Sequence, residues 1–90
     1  MGVTIEFSKK FLEDASQIYT IRVAGELKKA ISLIEVVPTI GSKIVRESLK
    51  EEFGEGIFKW AVGPFDLIYT FDEDNMSVQL HALIPQRMVR

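Results

Sequence analysis

Four side chains in this 90-residue sequence are suited to moving a proton or meeting an anion: Lys59, Asp66, His81 and Arg87. His81 is the single histidine. An ordinary imidazole titrates near pH 6.5, so it can give or take a proton at neutral pH. A lone histidine in a strand serves structure more often than catalysis. Asp66 is the second residue of "FDLIYTF", a stretch whose other side chains are mostly apolar and aromatic. A carboxylate there is a general base or, more simply, the cross-strand partner of Lys59. Lys59 is then either a cation offered to a ligand or one half of that pair. Arg87 follows the last apolar run, in "LIPQR".

The rest of the composition bounds what these residues can do. There is no cysteine, which removes disulfides and thiolate metal sites. Hydrophobic residues make up 47% and aromatic residues 10%, enough for a compact core in a single domain spanning residues 1–90. Eleven basic and thirteen acidic residues leave a net charge of −2. A domain that binds naked nucleic acid usually carries a basic excess, because neutralised phosphates supply much of its affinity. The start "MGVTIEFSKK" has no long apolar core of a signal peptide, and no apolar run approaches the roughly 20 residues of a membrane span. A cytoplasmic protein with no membrane contact is expected.

The elements that must position the four residues follow from periodicity. "VTIEF" (3–7) alternates as a strand, and Ser8 offers an N-cap to the segment after it. Phe11, Ala15, Ile18 and Arg22 recur at helical spacing, which predicts a helix over 9–24 ended by Gly25. Leu27, Ala30, Ile31 and Ile34 form the apolar face of a second helix ending near Val36, before Pro38. Ser42 is positioned to cap a short third helix carrying Val45, Leu49 and Phe53, stopped by Gly54 and Gly56.

The last third predicts an antiparallel meander of strands 57–62, 66–71 and 76–84. Gly63-Pro64 and Asp72 to Asn75 supply its turns. Alternation places Phe58, Trp60, Val62, Leu67, Tyr69, Phe71, Val78, Leu80, Ala82 and Ile84 against the helices. The opposite face then carries Ile57, Lys59, Ala61, Asp66, Ile68, Thr70, Ser77, Gln79, His81 and Leu83 and is partly open. The fold class is α+β: an N-terminal strand, then an α-helical hairpin packed on an antiparallel β-meander.

This order of elements resembles the RelE/ParE superfamily of toxins from bacterial and archaeal toxin–antitoxin modules. Four stretches carry the likeness: "IEFS" before a helix, "LIEVVPTIG" at a helix end, "KWAVGPFDLIYTFD" across the strand turn, and "LIPQR" after the last strand. The resemblance implies a growth-inhibiting toxin without metal or cofactor, silenced by a cognate antitoxin. RelE-like members cut messenger RNA on the ribosome with basic side chains on the open sheet face. ParE-like members block DNA gyrase and generally lack the full basic set.

Carried over residue by residue, Lys59 matches the basic residue in the strand before the Gly turn, and Arg87 matches the arginine after the last strand. The basic position two before Lys59 falls on Ile57. The arginine after the aromatic residue that opens the next strand, here Phe65, falls on Asp66. A tyrosine that some relatives place further on has no counterpart before Arg90. RNA cleavage through the 2′-hydroxyl needs a base, an acid and positive charge on the phosphorane. Exchanging Arg for Asp turns attraction into repulsion, each contact being of order 4 kcal/mol at about 4 Å and an effective dielectric near 20, before screening.

The expectation is therefore a ParE-like toxin that inhibits a target such as DNA gyrase by binding, through the open face and the segment around Arg87. The runner-up is a ribosome-dependent mRNA endoribonuclease using Lys59, His81 and Arg87. A third reading is a degenerate, non-toxic binding module. A homodimer and a toxin–antitoxin hetero-oligomer both remain open as assemblies.

Overall fold

The computed structural model describes residues 2–86; Arg87 and the three residues after it lie outside that range. The elements run β1 (Thr4–Phe7), α1 (Lys9–Ala15), α2 (Ile21–Val36), α3 (Glu47–Phe53), β2 (Phe58–Val62), β3 (Phe65–Asp72) and β4 (Ser77–Pro85). Ser8 caps α1 as its sequence position implies, its Oγ accepting from Phe11 N at 2.9 Å.

The helix expected over 9–24 is two helices. Ser16 Oγ donates to the Glu13 carbonyl at 2.6 Å, and Thr20, in extended backbone, accepts from Val23 N at 3.2 Å to start α2. Serine and threonine hydroxyls offer the backbone local partners and so compete with continued helix. The apolar spacing hid the break because Phe11, Ala15 and Ile18 all reach the same core from either side of it. Gly25 is consequently no terminator. It lies inside α2 on the solvent side, with open space where a Cβ would stand.

The sheet has four strands, in the order β1-β4-β3-β2. The meander β2-β3-β4 is antiparallel, and β1 adds to it parallel to β4, Ile5 opposite Val78. Since β1 is shorter than β4, the remaining edge of β4 needs other partners. Ser8 Oγ donates to the His81 carbonyl at 2.9 Å, and Asp14 Oδ2 accepts from Leu83 N at 2.9 Å. Helix α1 thus continues the pairing that β1 leaves off, and protects an otherwise open edge.

One face of the sheet packs on α1 and α2. Phe11, Val23, Ala30 and Ile34 meet Phe58, Val62, Leu67, Tyr69, Val78 and Leu80 in a single cluster, with Trp60 and Phe71 packed beside it as expected. Tyr69 is fully buried, stacks on Phe58 at 5.1 Å and accepts through its hydroxyl from Gly41 N at 2.9 Å. Burial pushes the Tyr69 phenol above its ordinary value, against the lowering effect of the Gly41 hydrogen bond. Gly41 is required there, because a Cβ would sit 2.6 Å from that hydroxyl.

Strict alternation fails at His81. Ile68 pairs with Ala82 but Tyr69 pairs with Leu80, so His81 is an extra residue in β4, a bulge. Beyond it the faces exchange: Leu83 joins the helical core, while Ala82 and Ile84 belong to the other side. Ala82 and Ile84 were expected against the helices and Leu83 on the opposite face, and the bulge is why all three are reversed.

The face expected to be open is half covered. Ile57, Ile68 and Ala82 are almost completely buried beneath Leu49 of α3, with Val45, Phe53 and Ile84 around them. Helix α3 starts later than its sequence suggests. Its N-cap is Arg46, without a side-chain cap bond, while Ser42 forms an isolated bridge with Lys59 through two 2.8 Å backbone hydrogen bonds. Gly54, at φ 107°, ends the helix in a conformation that favours glycine.

Candidate functional site

The second face of the sheet holds three of the four chemically interesting residues, divided by α3. Toward β2 the face is apolar and covered. Toward β1 it is polar and open, with Glu6, Thr70, Asp72, Ser77 and Gln79 lining two small hollows of about 270 and 170 Å³. Gln79 Nε2 donates to Glu6 Oε1 at 3.1 Å, joining β4 to β1 across this surface.

His81 sits at the border between the halves because the bulge puts it there. Its Nε2 lies 2.8 Å from Thr70 Oγ1, and its ring is 6.0 Å from the ring of Phe53 on α3. Burial lowers its pKa below the ordinary histidine value. The imidazole is therefore neutral at pH 7, one nitrogen a donor and the other an acceptor, beside a hydroxyl. Such a pair can relay a proton. Thr70 has no sequence signature of its own; its partnership with His81 arises only through the bulge.

Lys59 lies opposite Ile68 on the covered half, and Asp66 opposite Ala61. The two form no ion pair, which corrects the cross-strand pairing expected for them. Asp66 is 7% exposed, and its Oδ1 accepts from Gln86 Nε2 at 3.2 Å, the same amide reaching the Phe65 carbonyl. Gln86, a second residue without an advance signal, therefore takes the role expected of Lys59. Arg87, the remaining expected site residue, falls outside the described residues.

In the turn that closes the polar half, Asp72 accepts from Asp74 N, Asn75 N and Asn75 Nδ2, and these bonds, led by the Asn75 amide side chain, hold its carboxyl below its ordinary pKa. Among the described residues, no group of three or more His, Asp or Glu side chains is arranged to hold a metal ion. No helix among them is long and apolar enough to cross a membrane.

No protein-family model and no curated protein sequence matches the chain. Solved structures do. The RelBE2 toxin–antitoxin complex of Mycobacterium tuberculosis contains a chain that superposes with a TM-score of 0.74 at 19% identity, over 94% of this chain and 99% of that one. The archaeal RelE-RelB complex of Pyrococcus horikoshii gives 0.70 at 16% identity, over 96% and 97%. A mutant of the E. coli toxin RelE in the free state gives 0.72 at 16%, over 98% and 87%. Likeness over nearly the whole length of each chain, at so low an identity, is a likeness of architecture. This chain has the RelE-like fold of these solved structures.

Proposed function

We propose that the chain is the toxin of a type II toxin–antitoxin module and arrests growth unless a cognate antitoxin occupies it. The observation that carries this reading is the superposition of 94% of the chain on a toxin–antitoxin complex, and of 96% on a RelE-RelB complex. These neighbours bear the RelE name. They favour the RelE branch, with a target in translation, over the DNA gyrase expected from the ParE side of the resemblance.

The chemistry of the second face favours action by binding. Scission of RNA through its 2′-hydroxyl develops negative charge on the phosphorane, which must be met by cations held in place. Lys59 is half-buried at the covered side, and a buried carboxylate, Asp66, stands where the resemblance calls for an arginine. A second reading, a metal-independent mRNA endoribonuclease, is favoured by His81. Its neutral ring, 2.8 Å from the Thr70 hydroxyl, meets the requirement for a general base, with Lys59 and Arg87 as phosphate ligands.

Induced expression of the chain alone is expected to stop growth, and co-expression of its cognate antitoxin, to be sought as a small acidic protein encoded beside it, to restore growth. Primer extension on cellular mRNA then shows no ordered cleavage if the toxin only binds. Ordered cleavage within translated messages, abolished by Lys59→Ala and His81→Ala, establishes the ribonuclease instead. Harmless expression removes both toxin readings and leaves a non-toxic binding module.

A further inference from the structure

Helix α2 turns toward solvent a stripe that its own chain does not use. At about 100° per residue, Ile21, Gly25, Ser32 and Val36 fall within an arc of about 60°, on the side opposite Val23, Ala30 and Ile34 of the core. Ile21 is 92% exposed and Val36 74%. Gly25 lies between them, and a glycine inside a helix destabilises it relative to alanine. At Gly41 and Gly54 the fold itself requires glycine, through a close contact and a positive φ. At Gly25 no atom stands within 4 Å of a Cβ and the backbone is helical. Such a glycine suits close approach by another backbone. Beside it, Lys28, Lys29, Ser32 and Leu33 line a shallow hollow of about 480 Å³.

The charge along this stripe has one sign. Lys28 flanks it on one side, Arg22 and Lys29 on the other, all exposed. Among the described residues none of the three makes an ion pair. The two carboxylates of α2 are set apart from them. Glu26 turns inward toward Gly63, with Oε2 buried, and Glu35 sits at the helix end against Gly2. A chain of net charge −2 thus keeps a cationic, partly apolar helix face.

These features select the occupant. The stripe is centred between Lys28 and Lys29, so a second copy docked about a two-fold axis would set those lysines against their own kind. Phosphates gain nothing from exposed Ile and Val, and the stripe lacks the large apolar side chains that enter a lipid surface. We propose that the outward face of α2 is the docking surface for an acidic amphipathic helix of the antitoxin. The apolar side of that helix lies along Ile21, Gly25, Ser32 and Val36, and its carboxylates meet Arg22, Lys28 and Lys29. The identity of the partner rests on the toxin reading above; the place and chemistry of docking go beyond it.

The test uses the full chain and its cognate antitoxin. In the complex, acetylation of Lys28 and Lys29 should slow at least about tenfold, while that of Lys9 and Lys43, also exposed, changes less than about twofold. Lys28→Glu with Lys29→Glu, and separately Gly25→Gln, should each raise the dissociation constant at least about tenfold; Lys9→Glu with Lys43→Glu, an equal change in net charge, should raise it less than about twofold. Gly25→Gln should also raise the melting temperature of the free chain, so that misfolding cannot account for lost binding. A complex that forms with Lys28 and Lys29 unprotected, and with Gly25→Gln without effect, overturns this inference and leaves the toxin reading standing. Harmless expression with no complex removes both. Charge reversal that weakens binding while Gly25→Gln does not shows steering charges rather than a packed helix, and overturns it too. So does protection of Lys28 and Lys29 by single-stranded RNA, by phosphatidylserine vesicles, or by raising the concentration of the chain alone.

Discussion

His81 is where a local irregularity becomes chemistry. One extra residue in β4 turns its ring toward Thr70 and under the edge of α3, and partial burial makes its cation unfavourable. The consequence for stability has a definite sign. The unfolded chain binds the proton near pH 6.5 whereas the folded chain resists it, so the unfolded state holds more protons just below that pH. Stability is therefore complete above about pH 6.5 and falls as pH drops from there toward the lowered folded-state value. Urea midpoints measured from pH 7.5 to 5 should fall with pH, and His81→Asn should flatten that slope. Asp66 offers a second test at this scale. Gln86→Ala removes the amide that donates to its buried carboxylate and is expected to cost about 1–3 kcal/mol in urea unfolding, the penalty for stranding a buried acceptor.

Among the elements, α1 and β4 show how an edge is finished without another strand. Asp14 has two contacts of different worth: an exposed i,i+4 ion pair with Lys10 at 3.3 Å and a hydrogen bond from Leu83 N. Exposed ion pairs of this kind contribute about 0.3–0.5 kcal/mol. A β-ladder amide that loses its acceptor at a partly buried edge costs about 1–3 kcal/mol. Lys10→Ala should therefore barely move the denaturation midpoint, whereas Asp14→Ala should lower it clearly and speed exchange of the Leu83 amide. Equal effects from the two substitutions would show that the edge hydrogen bond carries no special weight. The same logic explains the divided helix: Ser16 and Thr20 interrupt it so that α1 can lie along β4 while α2 crosses the sheet with Val23, Ala30 and Ile34 inward.

For the molecule as a whole, charge and shape act together. The chain carries a net charge of −2, and α3 presents its carboxylates outward over the second face. Polyanion affinity grows with the number of cations that can reach phosphates. Free single-stranded RNA should therefore bind weakly, with a dissociation constant of about 100 µM or higher at physiological salt, the weak end of non-specific binding. Fluorescence anisotropy with a labelled oligonucleotide measures this. Low-micromolar binding would mean that cations converge on a surface that the net charge conceals. Weak binding to free RNA together with growth arrest would direct the search to a target that supplies its own docking contacts.

Local chemistry alone was enough for the α+β class, the Ser8 cap, the end of α2 before Pro38, the Asp72–Asn75 turn and the three long strands. Each depends on residues within a few positions of one another, and each is present in the fold. The candidate residues were equally legible as types: His81 and Asp66 stand out because polar side chains are scarce in those strands. Tertiary structure decided the rest. Alternation cannot reveal a bulge, because the extra residue is defined only against a partner strand, and so the faces of Ala82, Leu83 and Ile84 were settled by the β3–β4 register. The same holds for β1 lying parallel beside β4, for Gln86 rather than Lys59 meeting Asp66, and for α3 covering what alternation left bare. These outcomes are fixed by contacts between residues far apart in the chain, chosen by which apolar surfaces can be buried together.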